Sequence, residues 1–357
     1  MKYLKDLQIA EGTRVLMRVD LNVPVKNGVV VDDFRIRKII PTIAYLQEKK
    51  VKIILVSHIE TIDSPTLEPV CRHLHKLGVT CAFIKDYKKV STTPDEIILL
   101  ENVRNYEGEK KNDKKFAREL ASLADIYVNE AFAVSHREHA SVVAITEFIP
   151  SYAGLLFAQE VEHLGTAFHP DHPFLFILCG AKFETKLPLI EKFIESADKM
   201  FIGGALADDF FRAQGKDIGT SLVSEMKPDL EKFLQNKKLL LPIDTVVKDT
   251  AIMDAGEKTV EMLGHEISHA KYVLWNGPLG AYEQGFKDAT LGVARLLAHA
   301  TKKGVKTIVG GGDTLAVIAE LKIEDQFTFV STGGGAMLEF LAKGTLPGIE
   351  ALNRGGN

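Results

Sequence analysis

The stretch Gly310-Gly311-Gly312-Asp313-Thr314 has an echo about twenty residues later, Ser331-Thr332-Gly333-Gly334-Gly335. Each follows a short β-branched apolar run (KTIV, FTFV) and precedes a helical pattern (TLAVIAEL, AMLEFLAK). Strand, glycine loop and helix in that order make a phosphate site. Glycine lets the backbone close on a ligand, and a helix N-terminus offers free N–H groups and a positive dipole end. Two such loops predict neighbouring units of one parallel sheet converging on one ligand beyond the carboxyl ends of the strands. Asp313 is placed to hold the divalent cation that accompanies a phosphorylated ligand.

The rest of the chain repeats this alternation. In the first half, RVLMRVDLNV, VKIILVS, CAFI, EIILL and DIYVNEAF read as strands. Between them, Arg35 to Glu48, PTLEPVCRHLHKL and DKKFARELASLA read as helices, with a turn at Lys26-Asn27-Gly28. A second series runs through FLFIL, KMFIGG, KLLLP, YVLWNGP, KTIVGGGD and FTFVSTGGG, with a helix at KLPLIEKFIESA. Strands alternating with helices of this length predict βαβ units and mostly parallel sheets, an α/β fold. A length of 357 residues exceeds the ~250–300 at which a single core stops growing, so two domains are expected. Residues 153–168 (AGLLFAQEVEHLGTAF) carry a helical pattern without a strand signal and form the natural connector.

Composition narrows the class. The net charge of −4 gives no bulk affinity for nucleic acid or an anionic membrane, so any basic site must be local. No apolar run approaches the ~18 residues needed to cross a bilayer, and the N-terminus has no apolar core of a leader. Cys71, Cys81 and Cys179 are odd in number and scattered. That argues against a disulfide framework and suits a reducing, cytoplasmic compartment.

Basic residues of the first half gather at strand ends. Arg18, Asp20 and Asn22 fall at period two on one predicted strand and would share a face. Arg35, His58, Arg104 and Arg137 follow strands or lie in the loops beyond them, where right-handed connections collect them at one sheet edge. Several guanidinium groups there would make an anion pocket. His136 and His139 flank Arg137, but no third metal ligand is near, so phosphate or carboxylate recognition fits better. In the second half, Lys182 follows FLFILCGA and Lys186 lies one helical turn on, both within reach of a ligand's phosphates. Asn276 and Pro278 end another strand, and Asn276 with Glu283 could hold a ribose or a base edge. His265-Glu266-Ile267-Ser268-His269 matches the zincin pattern, against which stands a solvated helix surface.

Taken together, RVDLNVP, DDFRI, LLENVR, YVNEAF, HREHAS, GAK, IGG, WNGPLGAYE, GGGDT and STGGGAMLE resemble, in the same order, the motifs of phosphoglycerate kinases. The resemblance covers nearly the whole chain. It implies two Rossmann-like domains, each a mostly parallel sheet flanked by helices, facing each other across a hinged cleft. The implied divisions are a phosphoglycerate-binding domain over 1–152, a hinge helix over 153–168, a nucleotide-binding domain over 169–345, and a segment over 346–357 that packs back on the first domain. By matching position, Asp20, Asn22, Arg35, His58, Arg104 and Arg137 would bind 3-phosphoglycerate. Lys182, Lys186, Gly203, Gly204, Asn276, Pro278, Glu283, Gly311, Gly312, Asp313 and Thr314 would bind ATP or ADP, with Asp313 on Mg2+. Arg35, Lys182, Lys186, Gly312 and Gly335 would steady the transferring phosphoryl group between 1,3-bisphosphoglycerate and ADP. The family pattern also implies a monomeric glycolytic enzyme of the cytoplasm.

The chain departs from the pattern at definite places. Where the family has S-H-L-G-R-P and a longer loop, this chain has Ser57-His58-Ile59-Glu60-Thr61-Ile62 and a shorter one. A substrate-binding arginine is thereby replaced by Thr61, and an acid stands at Glu60. Cys179 replaces a glycine, Thr185 an aspartate, Asn105 an aromatic residue, Glu130 an aspartate, Ala133 a glycine and Tyr282 a phenylalanine. These changes leave two activities open, a working phosphoglycerate kinase and a nucleotide-binding relative with weak or lost phosphotransfer.

Overall fold

The run Arg14–Arg18 shows why this chain forms parallel sheets: after the exposed Arg14, every side chain in it is buried. A strand covered on both faces is the mark of a sheet sandwiched by helices. The computed structural model describes residues 1–60, 65–92, 94–225 and 229–355. Thr61 and Ile62 lie outside the described residues. The chain divides into two compact units, one of residues 1–162 with 343–357 and the other of residues 163–342.

In the first unit the strands are β1 (Arg14–Arg18), β2 (Val25–Lys26), β3 (Val29–Val30) and β4 (Lys52–Val56), followed by β5 (Ala82–Ile84), β6 (Ile97–Leu100), β7 (Ile126–Asn129) and β8 (Ser151–Ala153). Six of them form a parallel sheet in the order β5-β6-β4-β1-β7-β8, and β2 and β3 pair as a separate hairpin around the Asn27-Gly28 turn. The helices are α1 (Phe34–Glu48), α2 (Glu68–Lys76), the single turn α3 (Glu107–Lys110), α4 (Lys114–Ala121) and α5 (Leu155–Gly165), whose last turn from His163 falls in the second unit. On α1, Ile36, Ile39, Ile43 and Leu46 are buried, the i, i+3, i+4 stripe that lays a helix on a sheet.

The second unit holds β9 (Phe174–Leu178), β10 (Lys199–Ile202), β11 (Leu239–Leu240), β12 (Thr245–Lys248) and β13 (Ala251–Ala255), then β14 (Tyr272–Asn276), β15 (Lys306–Gly310) and β16 (Phe329–Ser331). Its parallel sheet runs β11-β10-β9-β14-β15-β16, and β12 with β13 forms an antiparallel hairpin outside it. The helices are α6 (Phe183–Ser196), α7 (Ala205–Ala213), the short α8 (Glu231–Leu234), α9 (Glu257–His269), α10 (Asp288–Lys302), α11 (Gly312–Leu321) and α12 (Gly335–Lys343). The last helix, α13 (Pro347–Arg354), belongs to the first unit. Its Gly348 donates from N–H to Ser135 O at 2.8 Å, and a Cβ there would meet Ser135 at 2.7 Å, so only glycine permits the approach.

Three expectations need correction. Asp20 and Asn22 are not on a strand with Arg18, because β1 ends at Arg18. Asp20 Oδ1 accepts the Asn22 N–H at 3.1 Å, a local turn that competes with the sheet ladder. Arg35 sits in the first turn of α1, after the β2–β3 hairpin, and not just beyond a sheet strand. The helical connector does carry a strand at its start, since Ala153 belongs to β8, paired in parallel with β7.

Candidate active site

Parallel strands end on one edge of their sheet, so in the first unit the segments after β1, β4, β6 and β7 share a neighbourhood. At its centre is Arg18, fully buried. Its Nε donates to Ser141 Oγ at 2.9 Å, and its Nη2 lies 3.3 Å from His58 Nδ1. A guanidinium can only donate, so His58 Nδ1 is the acceptor and its Nε2 carries the proton. His58 stays neutral. Burial pushes its pKa far down, and the guanidinium groups of Arg18, Arg104, Arg137 and Arg35 push it further. Four arginines thus act on one buried imidazole, and His58, counted by the sequence among the basic residues, carries no charge itself.

The neutralisation of these charges is uneven. Arg35 Nη1 donates to Asp20 Oδ2 at 2.8 Å and to Asn22 O at 3.3 Å. Asn22 Oδ1 in turn accepts the Glu60 N–H at 2.9 Å. The Arg104 side chain is only 3% exposed, and its Nη1 lies 2.5 Å from Glu60 Oε1. That contact is an ion pair without hydrogen-bond alignment, and Arg104 Nε and Nη2 are buried with no hydrogen-bond partner among the described residues. Glu60 also lies 3.6 Å from Lys110 Nζ. Partial burial would raise its pKa, but Arg104, Lys110 and Arg137 together hold the carboxylate below its ordinary range. Arg137 is exposed, with Nε 3.3 Å from His136 Nε2. His139 Nδ1 lies 3.6 Å from Glu109 Oε1. Glu109 is fully buried and accepts from Ser141 Oγ and N, which completes a chain from Arg18 that sequence reasoning did not find.

In the second unit the strand order reverses between β9, whose chain continues to β10, and β14, whose chain continues to β15. This is the switch point at which open sheets take ligands. A cavity of about 480 Å3 opens there. The loop after β9 lines it with Gly180 and Ala181, the start of α7 with Gly204 and Ala205, and the loop after β14 with Pro278 to Gln284. Asp313 stands at its rim in the first turn of α11. The β12–β13 hairpin supplies the far wall, with Thr245, Ile252 and Met253. Two glycines are required by conformation and crowding. A Cβ on Gly204 (φ +62°) would meet Gly180 N at 2.7 Å, and one on Gly277 (φ +94°) would meet Cys179 O at 2.0 Å.

Of the predicted residues here, Gly204, Pro278, Glu283 and Asp313 line the cavity directly. Asn276 and Thr314 are buried and face protein: Asn276 Nδ2 donates to Gly310 O at 3.1 Å, and Thr314 Oγ1 accepts the Gly277 N–H at 3.0 Å. They lock the loops after β14 and β15 together. Lys182 is exposed at the N-cap of α6, while Lys186 is buried and donates from Nζ to Cys179 O. Burial lowers the Lys186 pKa to about 8, against the opposing pull of Asp313. Cys179 packs under Gly203, and burial pushes its thiol up to about 12, so it is a neutral wall residue. Gly311 is the N-cap of α11, and Gly312 opens that helix as Gly335 opens α12, so both helix N-termini present backbone donors. Asp313 is exposed and makes no bond to protein among the described residues. A hard carboxylate oxygen at a helix start, lining this cavity, fits Mg2+, which takes one or two carboxylates and otherwise water and phosphate oxygens.

The zincin-like pair does not build a metal site. His265 and His269 lie on α9 with Nδ1 of His269 held by His265 O at 2.8 Å. Glu266 Oε1 lies 3.6 Å from His265 Nδ1, yet among the described residues no three ligand atoms close together there; the one such group is Cys71, His75 and Cys81.

Residues 4–344 match the family model described as phosphoglycerate kinase. A phosphoglycerate kinase of Dictyoglomus turgidum is 42% identical, over 96% of this chain and 96% of its own. One of Finegoldia magna is 40% identical over 99% of both. The first alignment spans 381 positions, more than the 357 residues of this chain, so that relative has segments this chain lacks. Among solved structures, phosphoglycerate kinase from Coxiella burnetii superposes with a TM-score of 0.84 at 34% identity, over 99% of each chain. That from Pyrococcus horikoshii gives 0.86 at 28% identity, over 99% of this chain and 98% of its own. The family model, the relatives and the solved structures all match over nearly the full length, and the chain belongs to the phosphoglycerate kinase family.

Proposed function

We propose that this chain transfers the acyl phosphate of 1,3-bisphosphoglycerate to ADP, reversibly, with phosphoglycerate on the arginine cluster of the first unit and the nucleotide in the cavity of the second. The observation that carries the reading is Arg104, a buried guanidinium whose Nε and Nη2 have no hydrogen-bond partner among the described residues. A buried cation with orphan donors calls for an anion. Beside it, His58 Nε2–H offers a neutral donor, and Arg35, held by Asp20, adds charge. The acceptor in the ATP-forming direction is a phosphate oxygen, and in reverse a carboxylate already ionised at neutral pH, so no general base is required. The remaining task is to orient two polyanions and offset charge on the moving phosphoryl group. Lys182, Lys186 and the N-termini of α11 and α12 suit it, with backbone donors at Gly312 and Gly335. Asp313 would hold Mg2+, which when bound offsets phosphate charge. A monomer working in the cytoplasm is the form this reading carries, and light scattering checks the first half of that statement.

The test is a coupled assay with ATP, Mg2+ and 3-phosphoglycerate that reads bisphosphoglycerate consumption. Turnover is the expected result. ADP binding without turnover at millimolar substrate would leave a nucleotide-binding relative instead. Beside the sequence departures, Glu60 gives that second reading a structural support, since its carboxylate occupies the side of Arg104 that a substrate oxygen would use. Glu60→Ala is expected to lower KM for 3-phosphoglycerate about tenfold, the scale of one regained hydrogen bond to a charged group, with kcat little changed. An unchanged KM in steady-state kinetics would show that Glu60 does not compete with substrate.

A further inference from the structure

The fold joins two cysteines that look unrelated in sequence. Helix α2 carries Cys71 and, one turn on, His75; the chain then turns at Gly78 and brings Cys81 to the start of β5, the edge strand of the first sheet. Cys71 Sγ lies 3.0 Å from Cys81 Sγ and 3.8 Å from His75 Nε2. His75 Nε2 rests against the Cys81 backbone, 2.8 Å from its O and 3.1 Å from its N. Both cysteines are buried, at 4% and 5% exposure, while His75 reaches solvent.

Two outcomes are open to such a group, a metal site and a sulfur–sulfur bond. Thiolates sharing one zinc through bonds of ~2.3 Å at tetrahedral angles stand about 3.8 Å apart. Here the sulfurs are in closer contact than that, and the imidazole nitrogen a metal would need is already engaged by the Cys81 backbone. The arrangement favours direct bonding.

We propose that Cys71 and Cys81 are a reversible dithiol–disulfide pair, a modification site on the first unit in which Cys71 is the attacking thiol. The contact with the Cys81 thiol lowers the Cys71 pKa to about 7; burial opposes this, and His75 and Arg72 add to it. Cys81 is pushed the other way and stays protonated until its turn. With a peroxide as oxidant, Cys71 loses its proton to His75 or solvent, and the thiolate attacks a peroxide oxygen. The O–O bond breaks, leaving a sulfenic acid and one water. The Cys81 sulfur then attacks the Cys71 sulfur, the S–O bond breaks, and a second water leaves with the Cys81 proton. Two thiols and one peroxide become one disulfide and two waters, two electrons passing from sulfur to oxygen. The short edge strand β5, only partly buried, gives the oxidant access through local opening.

The test treats the purified full chain with a small excess of hydrogen peroxide, alkylates it under denaturing conditions and maps the unreduced peptides by mass spectrometry. The expected result is one species joining the Cys71 and Cys81 peptides, lighter by two hydrogens and restored by a dithiol reductant, with Cys179 still alkylated. Cys179→Ser keeps the cross-link, and Cys71→Ser or Cys81→Ser removes it. Sequential labelling of the wild-type thiols with two isotopic forms of one alkylating agent gives the same readout should a serine variant fold poorly. Three results overturn the proposal: no cross-link while both thiols remain alkylatable, Cys71 running on to sulfinic acid with Cys81 free, or one equivalent of zinc protecting both thiols in the protein as purified.

Discussion

Lys186→Met is expected to lower kcat about 10²- to 10³-fold, the usual cost of removing one preorganised donor to transition-state charge, without lowering Tm. The side chain is 6% exposed, and its ammonium sits between Gly180 and Gly277 at the point where the glycine loops meet. The protein holds that charge at a cost. Burial brings the Lys186 pKa to about 8 from 10.5, so the folded state binds the proton less tightly than the unfolded chain. The sign follows from linkage: between pH ~8 and ~10.5 the unfolded chain carries more protons, and stability rises with pH across that window. At neutral pH the full penalty stands, on the order of 3 kcal/mol. Methionine removes it together with the bond to Cys179 O, and the two changes offset. Activity and stability should therefore separate in this variant.

The same lysine makes a calorimetric prediction. Free protein at pH ~8.5 holds Lys186 mostly neutral, and phosphates brought beside it favour the charged form. Nucleotide binding should then take up a fraction of a proton, visible as a difference in binding enthalpy between buffers of unlike ionisation heat. Lys186→Met should show no such uptake. Equal uptake in both proteins would place the phosphates elsewhere.

Why the position of Lys186 beside the glycine loops was legible, and the pairings of its neighbours were not, is a matter of what spacing can express. A lysine one turn past a strand-end glycine points along the helix toward the loop, whatever the fold's details. Both sheets were readable for a similar reason, because FLFIL and KIILV are apolar without alternation and admit few other states. The β12–β13 hairpin carries no such signal: Val246 and Val247 are exposed, and the register shifts between them. Yet that hairpin forms a wall of the cavity. Asn276 was identified as a polar residue at a strand end and Thr314 as one at a helix start, but the sequence could not show that they bind each other's loops. Asp20 left its predicted strand because its carboxylate had two better partners, the Asn22 N–H and Arg35. Long-range pairs such as Cys71–Cys81 and Arg104–Glu60 need the fold before they exist at all.

Glu130 is such a case with a large expected effect: Glu130→Ala should lower Tm on the order of 10 °C. The carboxylate is wholly buried at the N-terminus of α5, accepting the Leu156 N–H at 3.0 Å, the Phe157 N–H at 3.2 Å and the Thr42 hydroxyl. The first N–H groups of a helix have no partner within it, and no solvent reaches these. Gly154 is obligatory beside it, since a Cβ there would stand 1.8 Å from Glu130 Oε2. Truncation leaves three buried donors unmet and a void, about 3–5 kcal/mol in all. Burial also raises the carboxyl pKa to about 7 from 4.5, more than the three donors lower it. The folded state thus keeps its proton where the unfolded chain has lost it, and this residue's contribution falls as pH rises from ~4.5 to ~7. Glu130→Gln cannot titrate, so in denaturant unfolding the stability of wild type relative to Glu130→Gln should be greater at pH 5 than at pH 8. A difference that is constant with pH would mean the carboxyl is ionised throughout and is held by its donors alone.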